Sequence, residues 1–182
     1  MQQSNSTFKI SSSAIILSLL FFVTLISGCA TCKYSTRDTS VPPEVKTFRV
    51  NYFENKATYV NPQLSPQLTE KLKQKIIGTT RLRQTNDDDA HYDISGYVSA
   101  YYASTTGISG SNASTNRLTV SFHLIFKNNL AISEDKKIVE SDITTNVDFP
   151  ATQSLAEAET SRNTEIINNV VGEIFNKIFS NW

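Results

Sequence analysis

From Val45 onward the chain begins to alternate: Phe48, Val50 and Tyr52 fall between Thr47, Arg49 and Asn51, the two-residue period of a half-buried strand. Asn61-Pro62 then turns the chain, and Leu64, Leu68, Leu72 and Ile76 recur at every fourth position, which places them on one face of a helix. Ser65 suits its cap, Pro66 its first turn and Gly78 its end. Three further segments have period-two character and predict strands: Tyr92, Ile94, Val98, Ala100 and Tyr102; Leu118, Val120, Phe122, Leu124 and Phe126; then Val139, Ile143, Val147 and Phe149. Asn128-Asn129 and the charged stretch Glu134 to Lys137 mark a hairpin connection between the last two. Ser154 with Glu157 forms a capping box ahead of a long helix, whose apolar face holds Ile167, Val170, Val171, Ile174, Phe175, Ile178 and Phe179. Gly172 weakens that helix unless close packing needs its missing side chain. The order β-α-β-β-β-α predicts an α+β domain, one four-stranded mixed sheet with two helices packed on one face.

One stretch breaks the alternation. Ala103 to Thr115 is built almost wholly of Ser, Thr, Gly, Ala and Asn, with Ile108 its one large apolar residue. It reads as a loop, and its small uncharged side chains suit insertion into a tight protein cavity such as the inside of a large barrel. Gly107, Ile108, Ser109 and Gly110 are the candidate contact residues.

Upstream of the domain the pattern is that of a secretory leader. A polar stretch carries one cation, Lys9; Ala14 to Ile26 is almost wholly apolar; and Ser27-Gly28 directly precedes Cys29. The apolar run falls short of the ~20 residues that span a bilayer, so cleavage before Cys29 is expected, with a diacylglyceryl group and fatty acyl chains of the palmitate kind on the Cys29 thiol. Two or three such chains suffice for stable anchoring, at about 0.8 kcal/mol per buried CH₂. Residues 1–28 then form the signal peptide, 29–43 a tether ending in Pro42-Pro43, and 44–182 the folded domain. With Cys29 acylated, Cys32 has no internal partner, and no structural disulfide is expected.

Composition narrows the chemistry. Seventeen Lys and Arg oppose seventeen Asp and Glu, and only Lys9 among them lies in the leader. Sixteen cations against seventeen anions therefore remain, which argues against a nucleic-acid partner. His91 and His123 lack metal-ligand spacing, and Asp87-Asp88-Asp89 lacks the spacing and glycine of a calcium loop, so no metal site is predicted. No G-x-S-x-G elbow or carboxylate dyad is present, and no catalytic residue is nominated. Asn112-Ala113-Ser114 fits a glycosylation sequon, a pattern common by chance. A few cations remain for an anionic ligand. Arg117, at the base of the small-residue stretch, offers a fork for bidentate phosphate pairing; Lys127 and Lys136, with Arg49 and Lys137, lie on neighbouring strands or turns.

Several segments, taken in order, resemble the lipopolysaccharide-assembly lipoprotein family LptE: Cys29 to Ser35, Val41 to Thr47, Val60-Asn61-Pro62, Asn116 to Thr119 and Gln153-Ser154-Leu155. The terminal stretch Glu173 to Trp182 is the most specific piece. The resemblance implies a non-catalytic protein, anchored to the outer membrane and facing the periplasm. Its partners would be an LptD-like β-barrel, which it plugs and helps assemble, and lipopolysaccharide, with no cofactor beyond the acyl groups on Cys29. A second reading is a periplasmic lipoprotein that binds cell-wall glycan or another polymer without a barrel, using Tyr97 and Tyr101 as exposed stacking platforms on the polar strand face.

Overall fold

A computed structural model describes residues 41–109, 112–133 and 137–180. The leader, Cys29, Cys32, Gly110, Lys136 and Trp182 lie outside the described residues. In chain order the elements are β1 (Thr47–Val50), β2 (Glu54–Asn55), α1 (Leu64–Thr79), β3 (Arg83–Gln84), β4 (Tyr92–Ser109), β5 (Asn112–Asn128), β6 (Ile138–Pro150) and α2 (Leu155–Phe179). The sheet is mixed, in the order β3-β1-β4-β5-β6, with β2 also pairing β4. β3 and β4 run parallel to β1, and β2 runs parallel to β4, while β5 is antiparallel to both β4 and β6. The sheet thus has six strands rather than the expected four. The additional two, β2 and β3, are each two residues long, too short to leave a period in the sequence.

The helical expectations hold where they rest on periodicity. Leu64, Leu68, Leu72 and Ile76 are fully buried, as is the apolar face of α2 from Ile166 to Phe179; burying each large aliphatic side chain contributes about 1.5–3 kcal/mol. The capping box of α2 forms, with Ser154 Oγ accepting from the Glu157 N–H and Glu157 Oε2 accepting from the Ser154 N–H at 2.8 Å. The start of α1 differs. Asn61 organises it, its Oδ1 accepting from Gln63 N–H at 3.0 Å and its carbonyl from Leu64 N–H at 3.3 Å, while Ser65 is buried inside the first turn. Its end differs too, because Thr80 rather than Gly78 closes it: the Thr80 N–H and hydroxyl both donate to the Ile76 carbonyl. Thr69 joins helix to sheet, its hydroxyl accepting from the Phe53 N–H at 3.1 Å and donating to the Ser65 carbonyl at 2.8 Å.

Two irregularities move side chains off their expected faces. Val50 pairs Ile94 and Glu54 pairs Tyr97, so four steps of chain on one side meet three on β4. The extra residue inverts the alternation. Phe53 is consequently buried, and Tyr52, expected inside, is 62% exposed. In β4, Val98 and Ala100 pair the adjacent residues Phe122 and Ser121, so Ser99 is the bulged residue. Beyond it Tyr101 enters the core at 3% exposure while Tyr102 turns out. Tyr59 lies over Tyr101 with ring centroids 5.7 Å apart, which removes Tyr101 from the polar face where it was expected. In β6, Ile143, Val147 and Phe149 are buried but Val139 is not.

Among the described residues every core residue lies between Val45 and Phe179, so a chain beginning at Ala30 contains this whole cluster. Gly172 needs no special packing, because a Cβ built there meets nothing within 4 Å. Gly172→Ala is expected to stabilise the domain by about 1 kcal/mol, readable as a higher melting temperature; a lower one would mean that the added methyl disturbs the packing of α2.

Candidate functional site

The helices cover one face of the sheet; the other is polar. On that second face β5 and β6 join through a ladder of cross-strand side-chain pairs at every second residue. Arg117 holds Asp148 through two bonds, at 2.7 and 2.9 Å. The Thr119 hydroxyl donates to Asn146 at 2.9 Å, Ser121 and Thr144 share a bond at 3.0 Å, and His123 Nδ1 lies 2.7 Å from Asp142. Tyr97 packs on the His123 ring, centroids 5.1 Å apart, and Lys56 Nζ stands 4.2 Å over the Tyr97 ring. Such pairs hold neighbouring strands in register. They also occupy the groups a ligand would use.

Arg117, the leading anion-binding candidate, is therefore already engaged. The Asp148 hydrogen bond holds its guanidinium above its ordinary value, and Arg117 holds the Asp148 carboxyl below the usual carboxylate range. Lys127 sits far along the same strand, paired with Asp93 and Ile138, so the structure does not bring Arg117 and Lys127 together.

Arg49 is likewise committed, donating to Asp93 through Nε at 3.1 Å and Nη2 at 2.7 Å and to Asp88 through Nη1. Asn51 Nδ2 donates to Asp93 at 2.7 Å. Asp88 is thus a surface carboxylate used by Arg49, and it fastens the loop before β4 to β1. Burial pushes the Asp93 carboxyl up, but the bonds from Arg49 and Asn51, with the charge of Lys127, hold it below its ordinary value. The Arg49 and Asp93 side chains are only 18% and 16% exposed, so removing the cation strands a poorly hydrated carboxylate. Arg49→Ala is expected to cost about 2 kcal/mol near neutral pH. Because the folded value of Asp93 is depressed, the pair's contribution is full above the unfolded carboxyl value of about 3.9 and is lost as pH falls through the folded one. Urea melts across acidic pH should show the Arg49→Ala penalty shrinking below about pH 4; a penalty independent of pH would separate it from Asp93.

The Ala103–Thr115 stretch is a ribbon, where a loop was expected. β4 and β5 continue through it, with Gly107 paired to Thr115, Ile108 to Ala113 and Ser109 to Asn112. β6 ends where Pro150 pairs Thr115, and on the other side the last parallel partner of β4 is Asn55 at Val98. The two strands thus run on as a two-stranded projection beyond the rest of the sheet. Gly107, Ile108 and Ser109 lie on it. Its apolar content predicted nothing here, because a two-stranded ribbon is held by backbone pairing, not by alternation.

Among the described residues no group of three or more His, Cys, Asp or Glu is placed to hold a metal ion, and no helix is long and apolar enough to cross a membrane. The functional geometry is one of surfaces: a paired polar face, a projecting ribbon and open sheet edges. The family model that matches this chain is "LptE: Lipopolysaccharide-assembly", over residues 45–181.

The chain belongs to the LptE family.

Solved structures similar to this LptE-family chain include a minor lipoprotein of Acinetobacter baumannii, with 15% identity, 75% of this chain and 94% of that one covered, and a TM-score of 0.49. Rare lipoprotein B of Shewanella oneidensis matches at 11% identity, 72% and 94% coverage and a TM-score of 0.47. A hypothetical protein of Chlamydia trachomatis matches at 6% identity, 73% and 95% coverage and a TM-score of 0.50. No curated protein matches the chain. Membership of the LptE family places this chain among the lipopolysaccharide-assembly proteins, and the match begins at Val45 and runs through α2.

Proposed function

We propose that the protein acts at the outer membrane, lipid-anchored through Cys29 and facing the periplasm, as a non-catalytic partner of an LptD-like β-barrel, which it plugs and helps assemble, and that it binds lipopolysaccharide. The observation that carries this reading is the family match over residues 45–181. Two features support it. The β4–β5 ribbon is narrow, formally uncharged from Ala103 to Asn116, and reaches beyond the sheet; and the polar sheet face offers hydrogen-bonding groups rather than a chemical centre, as a plug wall requires. The test is mild detergent extraction of the anchored protein and identification of what co-purifies. A large outer-membrane barrel in stoichiometric yield is the expected result, and recovery without any barrel rejects the reading. The glycan-binding alternative is weaker, because it needs Tyr97 and Tyr101 side by side on one exposed face and Tyr101 is in the core.

For lipopolysaccharide, Arg117, Lys127 and Lys136 remain the proposed cations. The Asp148 pair makes the role of Arg117 specific: a phosphate must displace a carboxylate from its fork. Arg117→Ala is expected to weaken lipopolysaccharide binding with the domain still folded, and Asp148→Asn, which frees the fork, to strengthen it. Titration of the purified variants checks both signs; unchanged affinity in Arg117→Ala removes Arg117 from the site.

A further inference from the structure

At the end of the sheet from which β1 and β4 start, a cleft of about 540 Å³ opens beside the entering chain. Lys46, Arg81, Arg83 and His91 line it together with Val41 and Pro42, and among the described residues no carboxylate does. Parallel pairing assembles these residues from distant segments. The Lys46 carbonyl accepts from the Arg83 N–H at 2.9 Å, and the Lys46 N–H donates to His91 Nδ1 at 3.0 Å. Unlike Arg49 and Arg117, none of Lys46, Arg81 and Arg83 is in an ion pair among the described residues. Among the described residues the nearby acids are accounted for. Asp88 pairs with Arg49, Asp87 with the Thr85 hydroxyl, and neither these nor Asp89 nor Glu44 lines the cleft.

The same sheet end continues into the β5–β6 connection, since the His91 carbonyl accepts from the Asn129 N–H at 2.8 Å. There Leu130, Ile132 and Ile138 are exposed, Ile132 completely. Three unpaired cations and three exposed aliphatic side chains therefore share one end of the domain, and it is the end where Val41 enters. Cys29 to Val41 spans at most about 40 Å even fully extended and about 20 Å as a flexible chain.

We infer that this end of the domain docks on the surface of an anionic phospholipid bilayer, with lipid phosphates in the Lys46–Arg81–Arg83 cleft and Leu130, Ile132 and Ile138 entering the interfacial layer. Cations near an anionic surface and aliphatic side chains inserted at its boundary add their contributions, and a tether this short keeps the cleft at the leaflet that holds the acyl chains. The inference rests on the lipid-anchored reading only for that placement, and it does not involve the barrel.

The test is vesicle flotation of the unlipidated chain from Ala30 onward. Partition onto phosphatidylglycerol–phosphatidylcholine vesicles and not onto pure phosphatidylcholine is expected. Arg81→Gln with Arg83→Gln should weaken it about 25-fold, Ile132→Asn several-fold, and Lys71→Gln with Arg162→Gln, which changes net charge equally, less than about twofold. Inorganic phosphate at constant ionic strength should leave partition unchanged. Equal partition onto both vesicles, no effect of the Arg81/Arg83 pair in a variant that melts normally, or displacement by free phosphate overturns the proposal. Failure here leaves the barrel co-purification result standing, and the reverse also holds.

Discussion

Gly96→Ala is expected to lower the melting temperature by about 10 °C. Gly96 lies in β4 opposite Leu124. A Cβ built there clashes with the carbonyl oxygen of His123 and comes within 2.6 Å of the Phe122 ring, closer than a Cβ approaches non-bonded atoms in folded proteins. Neither neighbour can yield. The His123 carbonyl belongs to the backbone of the central strand pair, and Phe122 is fully buried with its ring edge-on to Phe53 at 4.7 Å. Relief must come from displacing β4 or from driving Phe122 off its rotamer, a cost of about 3 kcal/mol, which for a domain of this size is about 10 °C. Gly78→Ala is the matched control, since a Cβ there meets nothing within 4 Å and helix propensity favours alanine. Circular dichroism melts of the two variants decide it. Were Gly96→Ala to melt within about 2 °C of the parent, the close approach would be absent in solution.

The same region shows why some of this fold is legible in the sequence and some is not. β5 could be read outright, because Leu118, Val120, Phe122, Leu124 and Phe126 alternate without interruption and all five are buried. α1 and α2 were equally clear, their apolar residues recurring with the period of a helix that packs one face on the sheet. Wherever a bulge inserts one residue, alternation on its far side points to the wrong face. Tyr52 and Tyr102 were therefore expected inside in place of Phe53 and Tyr101, and the placing of Tyr101 on the polar face failed with them. β2 and β3 left no trace, being held by backbone bonds to neighbours already in place. The candidate cations fared similarly. Sequence identified Arg117 and Arg49 as cations but could not show Asp148 and Asp93 opposite them across the strands. Nor could it show Lys46, Arg81, Arg83 and His91 meeting in one cleft, since only parallel strand pairing brings them together.

Deleting Gly107 to Ser111 is expected to reduce co-purification of the outer-membrane barrel at least tenfold while leaving the domain as stable as the parent. Stability should hold because, among the described residues, the core's outermost members on these strands are Tyr101 and Leu118. The pair Thr105 to Asn116 survives the deletion, so the shortened strands can close through a tight connection. Binding should fall because the ribbon combines open backbone edges, which can pair with a partner's strand or loop, with small side chains that let two backbones approach closely. A barrel interior offers both surfaces. The effect belongs to the ribbon rather than to any shortening of the chain, which a matched deletion of Ile132 and Ser133 in the β5–β6 connection tests: that variant should retain the barrel fully. Loss in both variants would point to a general weakening of the domain, visible in their melts, whereas full retention in the Gly107 to Ser111 deletion would exclude insertion of the ribbon and move the barrel contact to the polar sheet face. In that event the ladder from Arg117–Asp148 to His123–Asp142 becomes the surface to disrupt next, because it is an array of hydrogen-bonding side chains that the helices leave uncovered.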